Sequence, residues 1–108
     1  MIDDPHEVVT LMRKMEAQLP IPARVTKALL HTLKSREVKL PTTRQVQIEK
    51  VMYWGDEGGI SCGLTVPGQA GSAVVVSLTH LRLANSHPLA AAVRTYQINR
   101  TRRLVQDG

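Results

Sequence analysis

The C-terminal half of the sequence carries positive charge without matching carboxylates. Between Gly58 and Gln106 there is no Asp or Glu, and every Lys or Arg in that stretch is an arginine. The five arginines are Arg82, Arg94, Arg100, Arg102 and Arg103. Arginine keeps its charge and offers a planar fork of N–H donors, which pairs with carboxylate or phosphate groups. We therefore take these five residues as the candidates for binding an acidic partner or a phosphate.

The run Arg100-Thr101-Arg102-Arg103 fits three arrangements. It can be a solvated helix end whose cations suit the negative end of the helix dipole. It can contact an acidic surface on a protein partner or a second subunit, which is our main hypothesis. It can also bind backbone phosphates of nucleic acid with little sequence preference, which is the alternative. Aromatic residues make up 3 % of the chain and Phe is absent, so the stacking platforms of many single-strand binders are missing.

Cys62 and His80 are the only pair that suggests a nucleophile and its base. If a hairpin closes across residues 67–72, Cys62 lies opposite about Ser77. His80 is then three strand positions, or about 10 Å, further along. Cys62 also alternates with apolar neighbours, which predicts a buried, unreactive thiol. We expect no catalytic residue and no enzymatic activity.

Metal and phosphate signatures are weak in this sequence. The histidines, His6, His31, His80 and His87, match no usual ligand spacing. The segment Gly55–Gly59 is glycine-rich but acidic, and it lacks the Lys and Ser/Thr of a P-loop, so it is interpreted as a hairpin turn. The expectation is therefore no metal, no cofactor and no small-molecule substrate.

Size and composition point to one domain over residues 1–108. The chain has a mass of 11.9 kDa, 43 % hydrophobic residues and 21 % charged residues, which is close to the globular norm. No apolar run approaches the ~20 residues of a membrane-spanning helix. A single cysteine agrees with a reducing compartment. We expect a cytoplasmic protein with no membrane contact.

Hydrophobic periodicity predicts three helices and three strands. Apolar residues recur at helical spacing over about 5–18, 22–36 and 88–104. Alternation or β-branched runs mark strands over about 44–54, 60–66 and 73–78. These elements predict an α+β fold in the order ααβββα, with a three-stranded antiparallel meander against the helices. Such a sheet leaves two edges, and strand 73–78 is apolar on both faces, which favours a homo-oligomer or another protein partner.

The last helix has an apolar side that becomes cationic. Leu89, Val93 and Tyr96 line one side, and Arg100 and Arg103 continue it. If the helix stays docked past Tyr96, these two guanidiniums need carboxylate partners. The nearest candidates in the sheet segment are Glu49, Asp56 and Glu57. If the helix projects, the two arginines are free for an external anion.

Overall fold

The computed structural model describes residues 2–35, 44–65 and 74–107. In these ranges the chain forms three α-helices, α1 (Pro5–Glu16), α2 (Lys27–Ser35) and α3 (Ala90–Asp107). It forms five strands, β1 (Ile21–Val25), β2 (Gln45–Tyr53), β3 (Ile60–Thr65), β4 (Val74–Ser77) and β5 (Leu81–Arg82). Two 3₁₀ turns, Gly55–Glu57 and Leu78–His80, connect strands. None of the described helices is long and apolar enough to cross a membrane.

The five strands form one antiparallel sheet in the order β4-β3-β2-β1-β5. The two edge strands, β4 and β5, are consecutive in the chain and are joined by the 3₁₀ turn Leu78–His80. A connection of three residues can join opposite edges only if the sheet curls and brings those edges together. The sheet is therefore strongly curled, and this 3₁₀ turn bridges its open side.

The predicted order ααβββα and the three-stranded sheet are wrong. The order is αβαββββα, because residues 22–36 do not form one helix. They contribute strand β1 and helix α2, with Thr26 between them. The fifth strand, β5, is only two residues long and pairs with β1 at Arg24 and Val25.

Val25 belongs to both a helical pattern and a strand pattern, which explains why residues 22–36 were predicted as one helix. Val25 is spaced at four-residue intervals with Leu29 and Leu33, which predicts a helix. In the structure Val25 also ends a strand whose residues alternate between buried and exposed. Pro22 is tolerated in this strand because β5 pairs only with its last two residues. Pro22 has β2 on one side alone, and its missing N–H costs no ladder bond on the other side.

The remaining elements lie close to their predicted positions. Helix α1 begins at Pro5, with the Asp4 side chain accepting a 2.9 Å hydrogen bond from the His6 backbone N–H. The predicted strands 44–54, 60–66 and 73–78 correspond to β2, β3 and β4, whereas the predicted turn 67–72 lies outside the described residues. Cys62 pairs with Val76 instead of Ser77, one position from the expected register. Helix α3 spans Ala90–Asp107 instead of 88–104.

A single cluster of apolar side chains fills the space between the curled sheet and the helices. Alternate residues of β1 and β2 face it, and the stripe Val8, Leu11 and Met15 of α1 covers it. Helix α1 contacts β2 and α3, and α3 also contacts the 3₁₀ turn Leu78–His80. The core therefore determines where α3 lies relative to β5.

A buried carboxylate ties the N-terminal segment to α3. The Asp3 side chain is fully buried, and its Oδ2 atom pairs with Nη1 of Arg100 at 2.9 Å. The same oxygen accepts hydrogen bonds from the hydroxyls of Tyr96, at 3.1 Å, and Tyr53, at 3.2 Å. Tyr96 in turn accepts the Ile60 backbone N–H at 2.9 Å. We call Asp3, Tyr53, Tyr96 and Arg100 the Asp3 cluster.

The Asp3 cluster leaves no room for a side chain at position 59. Gly59 has φ +63°, and a Cβ there would meet the Tyr96 hydroxyl and approach the Arg100 guanidinium carbon to 2.8 Å. Arg100 cannot move aside easily, because its Nη2 also donates to the Asp56 carbonyl at 2.8 Å. Glycine is therefore required at this position for space as well as for backbone conformation.

Gly59→Ala should destabilise the protein considerably more than Gly55→Ala. Gly55 has a similar φ of +66°, but a Cβ there would meet nothing within 4 Å. Gly55→Ala should cost only the backbone strain of about 1–2 kcal/mol. Gly59→Ala should add about 1–3 kcal/mol for the steric conflict with the Asp3 cluster. Urea unfolding followed by circular dichroism measures both, and equal losses of stability would contradict the close approach.

Candidate functional site

Helix α3 separates the five candidate arginines onto two sides of the molecule. Arg100 and Arg103 face α1 and the N-terminal segment, where they meet carboxylates. Arg94 and Arg102 lie on the other side and line a groove together with Arg82 of β5. The structure thus brings together three of the five residues and places the other two elsewhere.

Arg100 and Arg103 are engaged inside the protein. Arg100 is 3 % exposed and pairs with Asp3. The Nη1 atom of Arg103 lies 3.8 Å from an Oε1 oxygen of Glu7, in a partly exposed pair. Asn99 donates to the second Glu7 oxygen at 3.0 Å. Helix α3 is therefore docked past Tyr96, and these two arginines serve the fold.

The expected carboxylate partners of these two arginines are wrong. Glu49, Asp56 and Glu57 were the nearest candidates, but the carboxylates belong to the N-terminal residues Asp3 and Glu7. Asp56 binds Arg100 through its backbone carbonyl. Its Oδ1 oxygen instead accepts the Ile2 backbone N–H at 2.8 Å. The reason is geometric, because α3 crosses beside the start of α1.

The groove between α3 and the end of the sheet has a volume of about 570 Å³. None of the described residues that line it is acidic. They are Thr79, Arg82, Arg94, Gln97, Ile98, Thr101, Arg102, Val105 and Gln106. We call this the arginine groove. Its α3 residues recur every three or four positions, so they form one stripe along the helix.

Gln97 holds α3 against the 3₁₀ turn and so builds the groove. Its side chain is 3 % exposed, and its amide nitrogen donates to the carbonyls of Leu78 and Leu81 at 2.8 and 2.6 Å. Each carbonyl also accepts a second hydrogen bond, Leu78 from the Leu81 backbone N–H and Leu81 from Arg82, so Gln97 completes the bonding of both. The Gln97 amide oxygen accepts a longer hydrogen bond, 3.4 Å, from Arg94. Gln97 therefore positions the helix and its arginines beside β5.

Arg82 forms the opposite wall of the arginine groove. Its Nη1 atom donates to the carbonyls of Thr79 and Leu81 at 2.9 and 2.8 Å, which fixes the guanidinium at the end of the 3₁₀ turn. Desolvation, followed by the positive charge of Arg94, lowers the pKa of Arg82 from its usual value. Arg82 and Arg94 both line the groove, so their positive charges repel each other there. An anion between them would relieve this repulsion.

The groove combines cations with exposed aliphatic side chains. Ile98 is 42 % exposed and Val105 is 76 % exposed, and both line it. Thr79 and Thr101 add hydroxyls that can donate or accept hydrogen bonds. This arrangement can bind an anionic group while covering apolar surface of the same ligand. None of the described lining residues is an aromatic on which a base could stack.

The other candidates from the sequence lie apart from this groove. Cys62 is buried, and burial raises the pKa of its thiol to about 12, so the nucleophilic thiolate is scarce at neutral pH. His80 is exposed in the second 3₁₀ turn and lines a separate cleft of about 470 Å³ beside α2 and Trp54. The Gly55–Gly59 segment forms a 3₁₀ turn between antiparallel strands. Among residues 2–35, 44–65 and 74–107, no cluster of three or more His, Cys, Asp or Glu side chains is arranged to hold a metal.

Sequence reasoning missed the residue that shapes the arginine groove and the carboxylates that pair with Arg100 and Arg103. The spacing of Arg94, Ile98 and Arg102 is a helical stripe and was visible in the sequence. Gln97 gave no such signal, because its role depends on the buried carbonyls of Leu78 and Leu81, which lie beside α3 only in the folded protein. Asp3 gave no signal either, because its partner Arg100 is 97 positions away.

No protein-family model matches the chain, and comparison with curated proteins and with solved structures finds no match either. The functional interpretation therefore depends on the chemistry of the groove.

Arg100→Ala should destabilise the protein far more than Arg103→Ala. Removing Arg100 leaves the Asp3 carboxylate buried without its cation, which should cost about 3–5 kcal/mol. Removing the partly exposed Arg103 should cost less than about 1 kcal/mol. Urea unfolding measures both values. A loss below about 1 kcal/mol for Arg100→Ala would show that α3 does not depend on the Asp3 cluster.

Proposed function

We propose that this protein is a small non-enzymatic interaction module that binds an acidic surface of a protein partner in the arginine groove. The observation that carries the proposal is the convergence of Arg82, Arg94 and Arg102 on one groove without a carboxylate among its described lining residues. Cations that meet internal carboxylates, as Arg100 and Arg103 do, stabilise a fold. Cations that line one groove without a described carboxylate beside them can bind an external anion.

The aliphatic rim of the groove favours a protein ligand over nucleic acid. Ile98 and Val105 are exposed beside the arginines, and such side chains gain from covering apolar surface of a peptide. Phosphate backbones offer no comparable apolar surface, and the groove lacks aromatic residues for stacking bases. Nucleic acid binding uses the same three arginines, and it is the alternative that a binding experiment separates.

Self-association and a cytoplasmic location are further parts of the proposal. Strand β4 is an edge of the sheet as described, and its Val75 side chain is 39 % exposed. An exposed apolar residue on an edge strand is a site where a second copy can pair. Cys62 is free and buried, which agrees with a reducing compartment.

Replacing both groove arginines of α3 should abolish most of the binding to an acidic peptide. The probe is a fluorescein-labelled peptide of about six residues, with two adjacent glutamates and flanking leucines, measured by fluorescence anisotropy at low salt. The double variant Arg94→Gln/Arg102→Gln should weaken binding by roughly tenfold, because two charge-assisted contacts are lost. Arg13→Gln is the matched control, since Arg13 is exposed on α1 outside the groove, and it should bind as the parent does.

The same titration with labelled duplex and single-stranded DNA separates the two classes of ligand. Tight, sequence-independent DNA binding that falls steeply with salt, with no peptide binding, would replace the protein-partner proposal with the alternative. Equal peptide binding by the double variant and the parent would overturn the assignment of the arginine groove.

Self-association should appear as a molar mass that exceeds 11.9 kDa and rises with concentration in light scattering. Val75→Glu should shift the protein towards the monomer, because it places a charge on the exposed edge strand. A mass of 11.9 kDa at every concentration tested would eliminate this part of the proposal.

A further inference from the structure

A second groove of about 360 Å³ adjoins the arginine groove and shares Arg82 with it. It lies over the ends of β1 and β2 and the segment that follows β5. Its lining residues are Pro22, Ala23, Arg24, Gln45, Arg82, Leu83, Ala84, Asn85 and His87. None of these residues is acidic. We call it the sheet groove.

The sheet groove contains two arginines that lie directly opposite each other on neighbouring strands. Arg24 of β1 pairs in register with Arg82 of β5 on one side and with Gln45 of β2 on the other. Directly opposed residues in an antiparallel sheet project from the same face, with Cβ atoms about 5 Å apart. All three residues are exposed, so they form one cross-strand row on the outer face of the sheet.

Like charges at opposed positions destabilise a sheet. The ion pairs identified between described residues do not include Arg24 or Arg82. Arg82 also lines the arginine groove together with Arg94 and Arg102. Arg82 therefore connects the two grooves in a row of four cations, Arg24, Arg82, Arg94 and Arg102. The arginine groove contains only three of these four residues, because Arg24 lies in the sheet groove.

We propose that the two grooves form one site for an extended acidic segment of a protein partner, with one acidic side chain bridging Arg24 and Arg82 at one end and a second lying at Arg102 at the other end. This inference rests on the proposed function and adds the length and charge spacing of the ligand. A single carboxylate has two oxygens. It can therefore accept hydrogen bonds from two arginines whose Cβ atoms are about 5 Å apart.

The length of the helical stripe requires a second acidic group. Arg94 and Arg102 are eight positions apart, which is about 12 Å along the axis of α3. An extended peptide advances about 3.3 Å per residue. Its two acidic positions should therefore be separated by several residues, and aliphatic side chains between them can cover Ile98. The ligand is a segment with two spaced acidic groups and an apolar middle.

Two labelled peptides test the length of the site. The short peptide has about six residues and one pair of adjacent glutamates, and the long peptide has about twelve residues with a glutamate pair near each end and leucines between. Arg24→Gln should weaken binding of the long peptide by roughly fivefold. Its affinity for the short peptide should stay within about twofold of that of the parent protein. Arg24→Lys, which keeps the charge, should retain more affinity for the long peptide, and Arg13→Gln is the control. Circular dichroism establishes that each variant is folded at the temperature of the titration.

The outcomes separate this inference from the proposed function. If Arg94→Gln/Arg102→Gln weakens binding of both peptides but Arg24→Gln weakens binding of neither, the two-groove site is wrong. The proposal that the arginine groove binds an acidic partner is then retained. If no arginine substitution changes the binding of either peptide, both proposals fall. If Arg24→Gln weakens the two peptides equally, the sheet groove is a general source of positive charge, and the spaced acidic segment is excluded.

Discussion

The buried ion pair between Asp3 and Arg100 is the constraint on which the arrangement of the molecule depends. It fixes the rotation of α3 about its own axis, because Arg100 must face the N-terminal segment. Once Arg100 faces inward, Arg94 and Arg102 face the other way, towards the 3₁₀ turn and β5. Gln97 then donates hydrogen bonds to one carbonyl of that turn and one of β5, which holds the helix in place. A structural interaction on one side of α3 thus creates the cationic stripe on the other side.

The sequence was sufficient to predict the helices and strands that show one strong hydrophobic periodicity. Helix α1 has a capping aspartate, a proline at its first position and a regular apolar stripe, and β2, β3 and β4 have clear alternation or β-branched runs. Strand β1 was hidden because Val25 belongs to a strand pattern before it and a helical pattern after it. Strand β5 has two residues, and it exists because the curled sheet brings Leu81 and Arg82 beside β1. Tertiary structure decides such elements, and local pattern does not.

The candidate site was predicted in composition but not in geometry. The lack of carboxylates between Gly58 and Gln106 identified the arginines, and helical spacing set Arg100 and Arg103 apart from the others, but neither showed which carboxylates these two residues meet. Asp3 and Glu7 lie at the far end of the sequence, so local charge did not show that they occupy Arg100 and Arg103. The opposed position of Arg24 and Arg82 depends on a strand that was not predicted. Arg24 also lies in residues 1–57, where nine Lys or Arg are accompanied by eight Asp or Glu, so its charge did not stand out.

The separation of 97 positions between Asp3 and Arg100 has a consequence for the order in which the molecule is completed. Closing so long a loop carries a large entropic cost, and contacts of this kind slow folding. During synthesis, α1 and the sheet strands emerge before the residue that neutralises Asp3. The aspartate therefore stays hydrated until α3 arrives. The arginine groove is lined by α3, so it too cannot form before that helix has been synthesised and docked.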